Sequence, residues 1–357
     1  MNEMTSKERF LTALSRKQPD RVPCFDFLFS LELFEHILGG KLDEDYVYNA
    51  EDALKCADAL GFDGLWVPFG GLVGDYSKML PGGKYIDEWG TTFIKNSASW
   101  PIDGPVDYPI RTRNDFKNYV PPSPDHPSRM TEVKTALKLN NGKIAIMGGL
   151  NGPLTTATFL MGLEDICINL YEDPELLEDI FKLSNKFWIE AGKKLVNEGV
   201  DLIGFGEDLG YDKSLFASPQ LLKKHLFPYI KELVTTFTDM GVPVVMHSDG
   251  RLHDIFADVV DLGITGYHPS ERKSGMTLKW VKENFGNRIC LFGNVDSSIT
   301  LPYGTPEAVE QEVLQCIQDA AAGGGYILGS DHSLHDGIPV ENIFRMFEAA
   351  KKYGKYA

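Results

Sequence analysis

The chain has 357 residues, 43% hydrophobic and 24% charged, which is the ordinary balance of a soluble globular protein. Its formal net charge of −16 argues against a nucleic-acid partner, because phosphate binding needs basic surface, and against a strongly anionic substrate unless local arginines override the field. The five cysteines (Cys24, Cys56, Cys167, Cys290 and Cys316) show no paired spacing, the N-terminus is polar, and no apolar run is long enough to span a bilayer, so a cytoplasmic protein that engages no membrane is expected.

Residues 5–16 read as an opening helix, with Ser6 as a suitable cap and Phe10, Leu11 and Leu14 on one face. Strands are expected at 22–27, 64–68, 143–148, 201–206, 242–247, 265–268, 289–293 and 325–328. From the third onward each is followed by a helix-like stretch, among them 219–240, 252–261, 276–285, 306–322 and 340–353. Short apolar runs alternating with longer amphipathic ones imply repeated βα units and a parallel sheet. Eight such strands fit an α/β fold of the (β/α)8 TIM-barrel type, one domain over residues 1–357. Residues from about 70 to 124 break the rhythm as an irregular insertion after the second strand, rich in Gly, Pro, Trp and Tyr. Within it, residues 85–94 suit a β-hairpin, and the insertion as a whole would serve either as a lid or substrate wall at the barrel mouth or as a structural flap over the barrel edge.

Three segments near the end of the chain place metal-binding side chains just past a short apolar strand. They are Val242-Pro-Val-Val-Met-His247-Ser-Asp249-Gly250, Gly266-Tyr-His268-Pro-Ser-Glu271 and Tyr326-Ile-Leu-Gly-Ser-Asp331-His332-Ser-Leu-His335-Asp336. Side chains at the carboxyl ends of barrel strands converge on one mouth, and positions i and i+2 of an extended segment share a face. His247, Asp249, Glu271 and His332 therefore form the expected metal set, with nitrogen and oxygen donors suited to catalytic zinc. A His-x-Asp pair by itself also arises where a strand-end histidine bonds a carbonyl. Glu207 and Asp208 end the fourth strand and are candidates for a fourth ligand, a general base or a substrate anchor, with a helix cap, for which Asp208 is suited, as the structural alternative. Asn151, Tyr211, Asn294 and Asp331 are the candidate substrate contacts, with Asn294 and Asp296 also placed to orient metal ligands.

With these residues in place, the chain resembles the uroporphyrinogen decarboxylase superfamily. The likeness is carried by Thr5-Ser-Lys-Glu-Arg-Phe-Leu-Thr-Ala-Leu14 through Pro19-Asp-Arg-Val-Pro23, by Ser218-Pro219 and its helix, by Gly293-Asn-Val-Asp296, and by Ile338-Pro-Val-Glu-Asn342. The resemblance implies a (β/α)8 barrel, and either porphyrinogen decarboxylation or zinc-dependent methyl transfer linked to a corrinoid. The decarboxylases carry arginines in an N-terminal stretch that here reads Val22-Pro-Cys-Phe-Asp-Phe-Leu-Phe-Ser30 and has none. The methyltransferases hold zinc with His-x-Cys and a later cysteine; His247, Asp249 and His332 fall on those positions. On this branch the resemblance implies a zinc enzyme that takes methyl from an O- or N-methylated small molecule, an aryl methyl ether among them, and passes it to a corrinoid protein. A uroporphyrinogen-type decarboxylase and a non-catalytic tetrapyrrole- or corrinoid-binding protein are the alternatives.

Overall fold

The computed structural model describes residues 3–43, 46–70, 77–95, 101 and 103–356. Its strands in chain order are β1 (Leu28–Phe29), β2 (Gly64–Pro68), β3 (Lys78–Met79), β4 (Lys84–Ile86), β5 (Thr92–Ile94), β6 (Gly104–Asp107), β7 (Ala145–Asn151), β8 (Leu202–Gly206), β9 (Val244–His247), β10 (Gly266–His268), β11 (Cys290–Phe292), β12 (Tyr326–Ile327) and β13 (Leu334–His335). Seven of them pair in parallel in the order β12-β11-β10-β9-β8-β7-β2. Most of their residues are buried, as expected where helices cover the outside and side chains fill the inside. The sheet curls as in a TIM barrel, as the alternating apolar runs imply.

Seven of the expected strands are present, mostly shorter than the apolar runs suggest; the eighth, 22–27, is not a regular strand. Its backbone still spans the gap between the sheet edges. Leu328 donates to the Pro23 carbonyl at 2.9 Å and Phe25 donates to the Leu328 carbonyl at 3.0 Å, while on the other side Asp63 donates to the Cys24 carbonyl at 2.8 Å. Proline has no N–H to contribute to a ladder, and the next pairing position is taken by a side chain. The buried Asp26 carboxylate accepts from the Ser330 amide at 2.7 Å and from its hydroxyl at 2.9 Å. The short pair β1 and β13 continues the closure above this point.

A helix at Ser6–Leu14 shuts the lower end, where the strands begin. Its cap is Thr5, not Ser6. Thr5 is extended and accepts from the Glu8 amide at 3.2 Å, while Glu8 accepts from the Thr5 amide at 3.0 Å, so the reciprocal box places Ser6 inside the first turn. Phe10 enters the barrel and meets Phe25 and Phe292 edge-on, at ring separations of 6.0 and 5.9 Å. The 219–240 helix is divided into Pro219–Leu221, a wide π-helical turn at Leu222–Leu226, and Phe227–Asp239. Pro228 accounts for the break, because it cannot donate the amide bond that a continuous helix needs. Among the described residues, no helix is long and apolar enough to cross a membrane.

The insertion carries β3, β4, β5 and β6 as one antiparallel sheet. The hairpin expected at 85–94 is β4 and β5, paired from Lys84 with Ile94 to Ile86 with Thr92. Residues 71–76, 96–100 and 102 of the expected insertion lie outside the described residues.

Candidate active site

Parallel register decides which side chains meet. Gly206, His247 and His268 are paired neighbours at the ends of β8, β9 and β10, so both imidazoles leave the sheet at one level. Nδ1 of His247 lies 2.8 Å from Nδ1 of His268, which leaves Nε2 of His247 facing Asp208 and Asp249, each at 3.8 Å. From the loop after β12, His332 Nε2 comes within 3.2 Å of the other Asp249 oxygen. One ligand atom each from His247, Asp249 and His332 lies within 4.8 Å of the others. The three come from two separated loops, as the convergence argument requires.

The turn after β9 is built to present Asp249. Gly250 has φ +86, and a Cβ there would sit 2.3 Å from the Gly210 carbonyl carbon, so only glycine fits. Its amide donates to Glu271 at 3.0 Å, and the second Glu271 oxygen pairs with Lys273 at 3.2 Å. Glu271, expected as a ligand, thus lies outside the three-residue cluster and braces the turn instead. Ser248 is fixed from both sides: its hydroxyl accepts from the Leu209 amide at 3.0 Å, and its carbonyl accepts from the Tyr267 hydroxyl at 2.7 Å. The loop carrying His332 is braced by Asp331, which accepts from the Ser297 amide and hydroxyl at 2.8 and 2.7 Å and from the Arg272 amide at 3.2 Å. Asp331 therefore organises a loop, and no atom of it borders the main cavity.

Electrostatics match the layout. Burial works against the Asp249 charge, but His247 and His332 outweigh it and hold the carboxyl well below its usual range. For His332, burial opposes the imidazolium and the Asp249 pair overcomes it, raising the pKa to about 9. His268 is pushed well below its ordinary value by burial first and by the neighbouring His247 second, so it is neutral. One oxygen of Asp249 is buried without any hydrogen-bond partner. A buried orphan acceptor is costly, and a cation between two imidazoles satisfies it. The donor set is nitrogen and oxygen throughout, since none of the five cysteines belongs to the cluster. These residues fit a zinc-like ion with three protein ligands and an open position.

The cluster borders a cavity of about 420 Å³ whose lining includes many aromatic rings. Phe27 packs edge-on against His268 at 5.0 Å, His247 at 5.8 Å and Trp66 at 5.4 Å. Tyr85 and Phe93 of the inserted hairpin and Trp89 of its turn add the opposite wall. Asn151 and Asp208 line the cavity, as expected of site residues. Glu207 does not: fully buried, it accepts from the Leu154 and Thr155 amides at 2.9 and 3.1 Å, at the start of the helix Pro153–Met161. Helix capping, considered for Asp208, belongs to Glu207. Burial raises Glu207 to about 8. Asn294 is buried under Arg272 and Cys316, and Tyr211 is 51% exposed; neither borders the cavity. His335 is occupied by the Ser297 carbonyl at 3.0 Å and the Gly337 amide at 3.1 Å. Not foreseen as site residues were His268 and the rings of Phe25, Phe27 and Phe29, although Phe25-x-Phe27-x-Phe29 is a period-two pattern that puts three rings on one face.

The profile of a family described as uroporphyrinogen decarboxylase (URO-D) matches residues 101–353. Among curated proteins, the chain is 25% identical to the methylcobamide:CoM methyltransferase MtbA of Methanosarcina mazei over 99% of each chain. It is 24% identical to the methylcobamide:CoM methyltransferase MtaA of Methanosarcina barkeri, again over 99% of each. It is also 26% identical to a uroporphyrinogen decarboxylase of Mannheimia succiniciproducens, over 71% of this chain and 72% of that one. Among solved structures, a methyltransferase from Methanosarcina mazei shares the fold with a TM-score of 0.79, at 21% identity, covering 98% of this chain and 99% of that one.

Proposed function

The chain belongs to the uroporphyrinogen decarboxylase family, and within it we propose that this protein is a zinc-dependent methyltransferase. It takes methyl from an O- or N-methylated small molecule, an aryl methyl ether being the favoured class, and delivers it to a corrinoid on a partner protein. The observation that carries this reading is the cluster of His247, Asp249 and His332, with an unpartnered Asp249 oxygen, bordering an aromatic cavity. When bound, zinc supplies Lewis acidity that makes the oxygen or nitrogen losing its methyl a better leaving group. The rest falls to the chain's own side chains. Phe27, Trp66 and Trp89 hold an aromatic ring and exclude water. Glu271 and Asp331 hold the two ligand loops rigid. The bonding electron pair stays on the heteroatom as the methyl leaves, so that atom gains one proton, and Asp208 at the cavity edge handles it.

The similarity to methylcobamide methyltransferases along the whole chain supports this reading. Polycarboxylate decarboxylation is favoured less by the cavity: Arg129, the one Lys or Arg in its described lining, is bonded to Glu88 at 2.6 Å. The test uses zinc-loaded protein, a reduced corrinoid protein, and a panel of methoxylated aromatics and methylamines. A change in the corrinoid absorption spectrum that disappears on chelation is expected. No change with any donor, or carbon dioxide release from uroporphyrinogen that survives chelation, overturns the proposal.

A further inference from the structure

Of the three imidazoles in the described cavity lining, His268 is the one outside the metal cluster, and it is 2% exposed. Its Nδ1 and that of His247 are 2.8 Å apart, and two like nitrogens at that distance share a single proton. Which one donates is fixed by what His247 does with its other nitrogen. Nε2 of His247 faces the carboxylates of Asp208 and Asp249, where the ion would sit. An imidazole that gives its Nε2 lone pair to a metal keeps its proton on Nδ1. That proton points at His268. Nδ1 of His268 is then the acceptor, and the remaining proton of His268 has to be on Nε2. Nε2 has no hydrogen-bond partner among the described residues and is not one of the fully buried orphan atoms. An N–H donor therefore faces the cavity near Phe27, whose ring centre is 5.0 Å from that of His268, and it is free to donate to an occupant of the cavity.

We propose that His268 is a substrate-binding residue whose Nε2–H donates to an oxygen on the aromatic ligand other than the methylated one. The His247 ring stands between the metal position and Nε2 of His268, so one atom cannot serve both. The ligand class is accordingly an aryl methyl ether with a second oxygen on its ring. This rests on the proposed function and narrows it.

The two nitrogens of His268 can be tested separately. The terminal amide of an asparagine falls near the place of Nδ1, and that of a glutamine near Nε2. His268→Asn should keep the contact to His247 and lose the donor; His268→Gln should do the reverse. Anisole and 2-, 3- and 4-methoxyphenol are titrated into zinc-loaded protein without any corrinoid partner, following the fluorescence of Trp66, Trp89 and Trp188, which line the cavity. Zinc affinity is measured separately by chelator competition. The native protein should bind at least one methoxyphenol about tenfold tighter than anisole, the worth of one good hydrogen bond. His268→Asn should abolish that preference with zinc affinity nearly unchanged. His268→Gln should retain it while zinc binding weakens about tenfold or more, as for other lost ligand-orienting bonds. No preference in the native protein, or a preference that survives in His268→Asn, overturns the proposal. Because no methyl transfer is measured, the proposed function can fail without changing this outcome, and the reverse is also true.

Discussion

At the scale of single residues, the ion pair between His332 and Asp249 sets the pH behaviour of the site. In the metal-free protein His332 binds its proton up to about pH 9, and a metal must displace that proton to reach Nε2. Zinc affinity should therefore rise with pH, about tenfold per unit for one displaced proton, and level off near pH 9. His332→Ala and His247→Ala should each lose the metal while the barrel stays folded, because the cluster lies at the mouth and not in the core. Zinc dissociation constants measured from pH 6 to 9 check the first point, and metal content with circular dichroism checks the second. A flat pH profile would return His332 to the role of a surface ion pair. His247, Asp249 and His332 were legible in the sequence because period two and strand ends are local properties. His268 was not, since its contact with His247 depends on the register between β9 and β10. The place of Glu271 was not legible for the same kind of reason: proximity to a strand end does not say which way a loop turns, and here it turns the carboxylate onto the Gly250 amide.

At the scale of elements, Glu207 joins the end of β8 to the first turn of the helix Pro153–Met161. Two amide donors and the positive end of the helix favour its anion, but burial outweighs them and raises its pKa from 4.5 to about 8. The sign is the reverse of the usual carboxylate. The folded state binds the proton more tightly, so this group's contribution to stability is complete below the unfolded value and is lost as pH rises through about 8. Glu207→Gln removes the titration. The melting temperature of the variant should fall less between pH 5 and pH 8 than that of the native protein, and equal slopes would refute the assignment. Elements were partly legible. Strand positions followed from apolar runs, whereas Pro23 and Pro228 altered a strand and a helix whose hydrophobic patterns were intact. The hairpin at 85–94 was readable from its β-branched and aromatic residues, but that its rings would face the metal cluster required the fold.

At the scale of the whole molecule, the proposed metal site and a buried ionic network sit at opposite ends of the barrel. Asp63, fully buried at the lower end, accepts from Arg9 at 2.8 Å, from Arg21 at 2.9 Å and from the Cys24 amide at 2.9 Å. It thereby joins the N-terminal helix, the irregular closing segment and the start of β2. Asp63→Asn leaves two guanidinium groups without their shared anion, and losing one partner of a buried pair costs about 3–5 kcal/mol. Denaturant unfolding should register that loss while zinc affinity of the folded variant is unchanged; a parallel fall in both would mean the ends are coupled. The barrel class was legible from the alternation of elements, because every βα unit repeats one signal, but the closure through side chains at Asp26 and Asp63 has no periodic signature.

The helix at the lower end has one more consequence. With Phe10, Phe25 and Phe292 locked edge to edge across the barrel axis, nothing passes through the floor. The cavity is a dead end in that direction, and all traffic is confined to the upper side. An occupant has to leave by the end at which it entered, so such a cavity takes its guests in series.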